Sequence, residues 1–553
     1  MSVPPIAAAY DYVVVGMGTA GAILASRLSE ESAVSVLALE AGESDGGLWE
    51  SIPLGVGRTL TDDRRVWRQP VHPAGYLKDR VMEWASGRGI GGSASVNGML
   101  FVRGHPALYD RWAQSAGDDW NYDHCLPYFQ RLEDCDFDAG RHRSQGGPIG
   151  VQRVEADPVS EAFLAACASA GVQRGADYND ALPDGAFYLQ LSARRGLRSG
   201  AGTAYLGPAR GRSNLHLIKG GTVTRVLTAQ GRANGVEFLH DGRLYTVKAA
   251  REVILCAGAV RSPQLLELSG IGRPAVLARH GIGLVQAIDQ VGENLQDHFM
   301  ARMSFQTPLR GTVNYMLSHW TAAARELARF AFQRRGLFAT TTLKSTAFVR
   351  SDLEQTLPDL RIQLGLLSSE GRIPKGSGID SVSSFHIGAY GLYPKSRGSV
   401  HIESGEPGRP PRVDPGYLDD ESDRRVLLAG MQWIRRISAQ ESMTTIITKE
   451  LRPGPDVSTS EALLEYAAAT GDTCWHPVGT CRMGADAASV VDPACRVRGV
   501  SHLRVVDASV IPFLTSSNTN VPVMMLAERA ADLIRNTWGS KQPDRQRAEE
   551  LAS

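Results

Sequence analysis

Cysteine is scarce in this chain of 553 residues, which contains only seven cysteines at no repeating spacing. An odd, unpatterned set does not describe the disulfide framework of a small secreted domain, and it favours a reducing compartment. The first residues also lack the basic leader and the long apolar segment of a signal peptide. We therefore expect a cytoplasmic protein.

An excess of either charge is lacking as well. The 59 lysines and arginines balance the 59 aspartates and glutamates, so no overall field draws the protein to nucleic acid or to an anionic membrane. No stretch supplies the roughly 18 uncharged apolar residues that a membrane-spanning helix requires. These absences exclude nucleic acid and stable membrane insertion from the expected partners and favour a small neutral molecule.

Glycine, in contrast, is abundant, with 58 residues, and it separates strand-like from helix-like segments near the N-terminus. Residues 10–16 form a β-branched run that ends in glycine, residues 20–30 have apolar side chains at helical spacing, and residues 34–42 form a second apolar run. This order of strand, helix and strand is typical of a βαβ unit with parallel strands. The sequence therefore predicts an α/β fold class, or α+β over the whole chain.

The first glycine turn contains a dinucleotide-binding pattern. Gly16, Gly18 and Gly21 form G-x-G-x-x-G between the first strand and the helix, and Glu40 ends the next strand. The glycines permit a tight turn and let the backbone approach a pyrophosphate, while Glu40 can accept hydrogen bonds from ribose hydroxyls. An acidic residue there disfavours NADP, but the motif does not separate NAD from FAD. Glycines alone would also suit a plain turn before a helix.

Several longer segments occur together in one order. Residues 87–104 ("GRGIGGSASVNGMLFVRG") and 258–272 ("GAVRSPQLLELSGIG") closely resemble the two signature segments of the glucose-methanol-choline (GMC) family of FAD-dependent oxidoreductases. The stretches "VGENLQDH", "SRGSVHIES" and "HPVGTCRMG" are also similar to segments of that family, and the resemblance extends over about residues 10–534. It implies that the cofactor is FAD and that the enzyme is an alcohol oxidase or dehydrogenase acting on CH–OH groups.

The resemblance also implies a domain organisation. It predicts a Rossmann-like FAD-binding domain and a discontinuous substrate-binding domain built on an antiparallel sheet, in line with the alternating strand patterns of residues 300–470. The expected boundaries are 1–155, 205–300 and 470–537 for the FAD-binding domain, 156–204 and 301–469 for the substrate-binding domain, and 538–553 for a polar tail.

The same resemblance implies which residues contact FAD. Val96 stands where some members attach the flavin covalently through a histidine, so we expect non-covalent FAD. The expected cofactor-binding residues are Gly16, Gly18, Thr19, Ala20, Gly21, Glu40, Ala41, Arg88, Gly91, Gly92, Ser93, Asn97, Gly98, Met99, Val223, Ala257, Trp475, Asp507, Ala508, Asn518, Thr519 and Asn520.

His476 lies between Cys474 and Cys481. Four roles are possible for it: a metal ligand, a neighbour of a disulfide, a core residue or a catalytic base. The spacing lacks the paired C-x₂-C and H-x₃-H patterns of zinc sites, so no metal is expected. A reducing compartment disfavours the disulfide. A lone histidine would be read as a core residue, but the surrounding motif resembles the catalytic segment of the GMC family. That resemblance implies that His476 is the base and that Asn518 is its partner.

The implied reaction is the oxidation of a primary alcohol to an aldehyde. His476 would remove the hydroxyl proton, Asn518 would steady the alkoxide, hydride would pass to flavin N5, and O₂ or a quinone-type acceptor would reoxidise the flavin. Two alternatives are an FAD-containing enzyme without net redox, like the hydroxynitrile lyases of the family, and a non-catalytic flavin-binding protein.

Other residues of interest fall outside these assignments. His298, His386 and His502 do not match catalytic positions and are expected to be structural. Trp475 could form a wall of the substrate pocket or fill the core. The basic amphipathic segment at residues 319–338 could cover the substrate entrance, touch a membrane that carries a quinone, or pack on its own domain. The sequence leaves these alternatives open.

Overall fold

Two β-sheets organise the computed structural model, which describes residues 7–78, 80–137, 140–180, 185–371, 378–515 and 517–539. The first sheet has a parallel core. Its strands run in the order Leu215–Lys219, Val36–Glu40, Ala9–Val15, Arg243–Leu255 and Leu503–Val505. The strand Val36–Glu40 is buried at every position, which explains its nearly continuous apolar sequence. The predicted βαβ unit and the α/β class are confirmed.

An antiparallel meander extends this sheet. Thr222–Ala229 pairs with Arg232–His240, which pairs in turn with the first half of the long strand Arg243–Leu255. The second half of that strand lies beside Ala9–Val15. The meander therefore joins the first sheet through one shared strand.

Two helices meet where the first glycine turn ends. Thr19–Leu28 packs along Asn520–Gly539, and the Thr19 hydroxyl donates a hydrogen bond of 2.7 Å to the Asn520 side-chain oxygen. A Cβ on Gly21 would lie 1.8 Å from the carbonyl oxygen of Gly16, so the helix can start this close to the turn only with glycine at that position. The N-termini of both helices therefore lie together beside the first glycine turn.

The second sheet is antiparallel throughout. Its strands run in the order Lys449–Arg452, Phe299–Gln306, Ser384–Gly391, Leu360–Gly365, Leu343–Val349 and Gly185–Tyr188. The short strand Asp472–Thr473 pairs with the start of Phe299–Gln306. This pairing brings the chain just before His476 onto the sheet.

The two faces of the second sheet differ in chemistry. Alternate residues such as Ile362, Leu364 and Ile387 pack into an apolar core with residues of the helix Glu421–Ser438. The residues between them, including Arg361, Gln363, His386 and Tyr390, are buried on the opposite face. Period-two alternation therefore places a row of polar side chains inside the protein, where polar groups are stable only if they are hydrogen-bonded or serve a site.

The remaining elements connect and cover the two sheets. The helices are Leu48–Ser51, Pro53–Gly55, Val56–Thr59, Gly92–Ser95, Pro106–Ala116, Asp118–Trp120, Tyr122–Leu132, Pro158–Ser169, Gly202–Leu206, Gly207–Ala209, Gly258–Leu268, Pro274–Arg279, Val313–Ser318, Trp320–Gln333, Leu337–Ala339, Glu441–Thr444, Ser460–Thr470 and Ala508–Val510. The further strands are Val66–Val71, Met82–Gly87, Glu133–Cys135, Ile149–Arg153, Gln190–Arg194, Leu197–Arg198, Ile271–Gly272, Gln286–Ala287, Ser399–His401 and Arg412–Asp414. Within the described ranges, no helix combines the length and the apolar character needed to cross a membrane.

The assignment of the segments outside the two sheets to two domains stays a prediction. The tail predicted at 538–553 lies outside the described residues from position 540 onward.

Candidate active site

A cavity of about 910 Å³ is lined by residues from both sheets. The strand ends and glycine turns of the first sheet form one half of its wall, which we call the cofactor half. The polar face of the second sheet, together with residues 313–317 and 338–343, forms the other half, which we call the substrate half. A volume at the upper end of the usual range for ligand sites suits a large cofactor together with a small substrate.

The backbone dominates the cofactor half. Gly16, Gly18 and Gly92 line the cavity, and a Cβ on Gly92, whose φ is +51°, would lie 2.8 Å from the Cα of Gly18. The two glycine turns thus approach each other more closely than any side chain would allow. The helices that begin at Thr19 and Asn520 direct their free N–H groups to the same wall. Such a cradle fits the pyrophosphate of a dinucleotide.

Glu40 ties these turns together. Its two carboxylate oxygens accept hydrogen bonds from the backbone N–H groups of Met17, at 2.8 Å, Gly42, at 2.8 Å, and Gly89, at 2.9 Å. Burial raises the pKa of this carboxyl, although the three N–H groups favour its ionised form. A carboxylate has about four acceptor positions, so Glu40 retains capacity for a ribose hydroxyl while it holds the loops in place.

Most of the predicted cofactor-binding residues line the cavity. These are Gly16, Gly18, Thr19, Ala20, Glu40, Ala41, Gly92, Ser93, Asn97, Gly98, Met99, Val223, Ala257, Trp475, Asp507, Ala508, Asn518, Thr519 and Asn520. Three others, Gly21, Arg88 and Gly91, are absent from the cavity lining and support it from behind. Gly91 donates its N–H to the carbonyl of Met17 at 2.7 Å, and Arg88 donates to the carbonyl of Ala41 at 3.3 Å.

His476 and Asn518 meet at the boundary between the two halves. The Asn518 Nδ2 atom lies 2.8 Å from His476 Nε2, although the two residues are far apart in sequence. On the other side of the ring, His476 Nδ1 lies 2.9 Å from His298 Nδ1. His298 Nε2 in turn lies 2.9 Å from the carbonyl oxygen of Leu392. These contacts form one chain of hydrogen bonds through the site.

The two ends of the chain determine where its hydrogens lie. Arg361 can only donate, and its Nη1 lies 2.6 Å from the Asn518 side-chain oxygen, so the amide NH₂ of Asn518 must face His476. At the other end, the Leu392 carbonyl can only accept, so His298 carries its proton on Nε2 and accepts at Nδ1. His476 therefore holds its hydrogen on Nδ1 and presents an unprotonated Nε2. The lone pair of that nitrogen accepts the Asn518 hydrogen bond here, and it can accept a proton when this hydrogen bond gives way.

Arg361 is an unusual neighbour for this chain because its side chain is fully buried. Its Nε donates to the Thr346 hydroxyl at 2.9 Å, and its Nη1 also contacts the hydroxyl of Ser517. In the part of the chain that the structure describes, no carboxylate forms an ion pair with it. Burying a cation without an anionic partner costs free energy of folding. The same cation stabilises negative charge that develops on a group beside Asn518.

The backbone around His476 is held in a constrained shape. Its N–H donates to Asp297 Oδ1 at 2.7 Å, and the Asp297 Oδ2 atom accepts from the Thr473 hydroxyl at 2.5 Å. Burial raises the pKa of Asp297 to about 6, against these hydrogen bonds, which lower it. The preceding residue, Trp475, has a φ of +58°, a left-handed conformation that is rare for a bulky side chain. Trp475 lines the cavity, and its contact with the substrate stays a prediction.

The substrate half is mainly apolar. Polar groups there come from Arg302, Gln363 and His386 on the second sheet, and the apolar lining comes from Met300, Val313, Met316, Leu317, Phe338, Leu343, Leu367 and Ile379. Among the described lining residues, the carboxylates are Glu40 and Asp507, and both belong to the cofactor half. The described residues of the substrate half therefore offer no anionic group to a cation.

Two histidines that were expected to be structural reach the site, which corrects that expectation. His298 contacts His476 directly, and His386 lines the cavity. His502 remains structural, since its Nδ1 contacts the Arg251 carbonyl on the first sheet. The sequence contained a signal for the polar face to which His386 belongs, because Arg361 and Gln363 alternate with apolar residues along the strand Leu360–Gly365. That alternation marks a polar face within a buried sheet.

The two cysteines that flank His476 serve different cores. Cys481 packs in the core of the first sheet, whereas Cys474 packs with Met300 and Tyr390 in another cluster. No disulfide joins them. Across the described residues, no group of three or more histidine, cysteine, aspartate or glutamate side chains is arranged to hold a metal ion.

Comparison with known proteins adds the family to this geometry. Residues 10–300 match one GMC oxidoreductase family model and residues 394–527 match a second. The chain is 36% identical over 532 residues to an "Alcohol dehydrogenase [acceptor]" of Pseudomonas putida, with 95% of each chain covered. It is 37% identical over 530 residues to an "Oxygen-dependent choline dehydrogenase" of Vibrio vulnificus, covering 95% of this chain and 94% of the relative.

A solved structure supports the same grouping. Pyridoxine 4-oxidase from Mesorbium loti superimposes with a TM-score of 0.85 at 30% identity, covering 96% of this chain and 100% of that one. Both family models together span most of the chain, and the resemblance predicted from the sequence is confirmed. The chain belongs to the GMC oxidoreductase family and is an FAD-dependent oxidoreductase acting on CH–OH groups.

Proposed function

We propose that this enzyme oxidises an apolar primary alcohol to the aldehyde, with His476 as the general base. The observation that carries the proposal is the hydrogen-bond chain through Asn518, His476 and His298, because it leaves an unprotonated Nε2 on a histidine that lines the cavity. An imidazole in this form suits the removal of a hydroxyl proton near neutral pH.

FAD is proposed to bind non-covalently in the cofactor half. When bound, the flavin supplies the hydride acceptor. The glycine turns around Gly16 and Gly92 would hold its pyrophosphate, and Glu40 its ribose. Val96 lines the cavity where a histidine would be needed for covalent attachment. Acid precipitation should therefore release the flavin into the supernatant, and flavin that stays with the protein pellet would contradict this part of the proposal.

The side chains divide the work on the alcohol oxygen. His476 Nε2 takes the hydroxyl proton and the ring becomes an imidazolium, whose Nδ1–H stays hydrogen-bonded to His298. The second hydrogen of the Asn518 NH₂ group is free to donate to the alkoxide, an interaction of about 3 kcal/mol if it behaves as an oxyanion-hole donor. Arg361 fixes the orientation of that amide. Because Nε2 has a single lone pair, the Asn518 N–H that donates to it must turn toward the alcohol oxygen as the hydroxyl proton moves to Nε2.

The lining of the substrate half supports an apolar, uncharged substrate. Its side chains are largely aliphatic or aromatic, and the charged residue among them is the basic Arg302, which repels a cationic amino alcohol. We therefore propose that choline is a poor substrate, although one relative is named a choline dehydrogenase. The electron acceptor is proposed to be O₂ or a quinone, and the cytoplasmic location also stays a proposal.

An anaerobic screen of flavin reduction tests this function. The holoenzyme is mixed with aliphatic, aromatic, polyol and choline-type alcohols, and bleaching of the flavin absorbance is followed before reoxidation by O₂ or a quinone. We expect rapid bleaching by apolar primary alcohols and slow bleaching by choline. Absence of bleaching by every alcohol would contradict the proposal and favour the lyase-like alternative.

A further inference from the structure

The helix Trp320–Gln333 exposes its largest apolar side chains to solvent. Trp320 is 82% exposed, Phe332 is 88% exposed and Leu327 is 55% exposed. The helix packs on the protein through a different set of residues, which includes Ala322, Glu326 and Phe330. Packing on its own domain therefore explains one face of the helix and leaves the rest unexplained, and several large apolar side chains exposed along one helix indicate an interaction surface.

The exposed surface around this helix carries an excess of basic side chains. Arg325, Arg329, Arg334 and Arg335 lie within and just after the helix. The carboxylates that pair with them are the buried Glu326, 3.8 Å from Arg325, and Glu155, 2.9 Å from Arg329 and 3.5 Å from Arg335. The side chains of Arg325 and Arg335 are 72% and 69% exposed. In a chain whose total charge is zero, this is a local concentration of positive charge. A basic amphipathic helix with exposed aromatic residues is typical of a membrane-surface helix.

The helix adjoins the mouth of the cavity. Leu317, three residues before it, is 57% exposed and lines the cavity, and Phe338, just after it, also lines the cavity. The neighbouring short helix Leu337–Ala339 packs against Pro53–Gly55. Next to that segment, Trp49 lines the cavity while 37% exposed. The rim of the substrate entrance is thus apolar on both sides.

We propose that the helix Trp320–Gln333 rests on the surface of an anionic lipid bilayer. Trp320, Leu327 and Phe332 would enter the boundary between headgroups and acyl chains, and the arginines would contact the lipid phosphates. The helix lies on the membrane and does not cross it. The sequence-based expectation of no attraction to an anionic membrane rested on total charge, whereas this proposal concerns one local surface.

A second copy of the chain fits this surface less well. A two-fold symmetric contact places the same patch of each subunit against the other. The four arginines of one helix would then face the four arginines of its partner, and the two carboxylates that pair with them, Glu326 and Glu155, offset only half of that charge. A bilayer containing anionic lipids supplies the missing negative charge. It also supplies apolar alcohols and quinones at the cavity mouth, a consequence that rests on the proposed function, whereas binding to the bilayer does not.

Co-sedimentation of the holoenzyme with lipid vesicles tests the proposal. The vesicles contain either equal amounts of phosphatidylcholine and phosphatidylglycerol or phosphatidylcholine alone. We expect binding to the anionic vesicles that weakens in high salt, and much weaker binding to the neutral ones. The double variant Trp320→Ser/Phe332→Ser should lower the partition constant by more than roughly tenfold. Arg325→Gln and Arg335→Gln should each lower it roughly fivefold.

A matched control separates this surface from exposed apolar residues in general. Leu353 is 95% exposed and Val81 is 99% exposed, and neither lies on the helix, so Leu353→Ser/Val81→Ser should bind vesicles like the wild type. All variants should keep their FAD and their rate with a water-soluble alcohol. The proposal is overturned if the wild type stays in the supernatant with anionic vesicles at low salt, or if both double variants bind equally well. It is also overturned if Trp320→Ser/Phe332→Ser dissociates an oligomer observed by light scattering without lipid.

Discussion

The two halves of the cavity are built by different means. In the cofactor half, backbone atoms form much of the wall, because glycines such as Gly16 and Gly92 let two turns approach each other closely. In the substrate half, side chains form the wall, and they come from alternate positions on separate antiparallel strands. A wall built from backbone atoms therefore depends on short, contiguous motifs. A wall built from side chains depends on residues far apart in sequence.

Gly21→Ala should have the largest effect, because it breaks the backbone construction of the cofactor half. A Cβ at this position would lie 1.8 Å from the Gly16 carbonyl oxygen, and backbone atoms cannot move away as a flexible side chain can. We expect purified protein without FAD, or no folded protein, as measured by flavin absorbance and thermal unfolding. Gly211→Ala is the control, because a Cβ there meets nothing within 4 Å. If Gly21→Ala bound FAD like the wild type, the backbone account would be wrong.

The motifs made the cofactor half predictable for the same reason. Gly16, Gly18 and Glu40 lie within one βαβ unit, so a local pattern identifies them and a resemblance extends them to most of the wall. His298 and Arg361 could not be found in this way, because their roles depend on the pairing of strands whose register the sequence does not reveal. The polar residues at every second position of Leu360–Gly365 were the available signal, but a buried polar face was not inferred from them.

Among the residues that support His476, Arg361→Met should have the largest effect, and it tests the side-chain construction of the other half. Without the guanidinium, the Asn518 amide loses the charged donor that orients it toward His476 and keeps only the weaker Ser517 hydroxyl at 3.0 Å. We expect the rate of flavin reduction to fall about a hundredfold, as for the loss of an oxyanion donor, with FAD content and KM nearly unchanged. Arg361→Lys retains a buried cation and should recover part of the rate. Equal rates for the Lys and Met variants at equal stability would rule out a positioning role.

His298→Phe should have a smaller effect on the same chain of hydrogen bonds. The imidazolium formed at His476 would lose its acceptor at Nδ1, and a hydrogen bond to a charged group contributes about 1.5–3 kcal/mol, so we expect a loss of at least roughly tenfold. The neutral ring could then also move its hydrogen to Nε2. The pH profile of flavin reduction should shift as a result, and an unchanged profile would contradict a role for His298 in fixing the tautomer.

The smallest effect is expected behind the cofactor half, at His401. Its two ring nitrogens contact Glu267, at 2.7 Å, and Glu293, at 3.1 Å. The contact with Glu267 joins the strand Ser399–His401 to the helix Gly258–Leu268. Burial lowers the pKa of His401, but hydrogen bonds and charges from the two carboxylates outweigh it and raise the pKa to about 9. This stabilisation is complete below the ordinary pKa of 6.5 and is lost as the pH rises through 9.

Chemical denaturation at pH 6.5 and at pH 9 measures the loss of this stabilisation. The free energy of unfolding of the wild type should fall on the order of 2–3 kcal/mol more than that of His401→Gln, which cannot titrate. The rate of flavin reduction per bound FAD should change equally in both proteins, because His401 lies outside the cavity lining. Parallel stability curves for the two proteins would show that His401 is not the titrating group.

The most direct test of the central claim, that the network presents an unprotonated His476 Nε2 to the alcohol, is the anaerobic rate of flavin reduction in His476→Gln. Glutamine can keep a hydrogen bond to Asn518 but cannot take the hydroxyl proton. We predict a rate about a thousandfold lower than that of the wild type, with FAD fully bound, and without the fall toward acidic pH that protonation of the imidazole causes in the wild type. Reduction of His476→Gln at the wild-type rate would contradict the account.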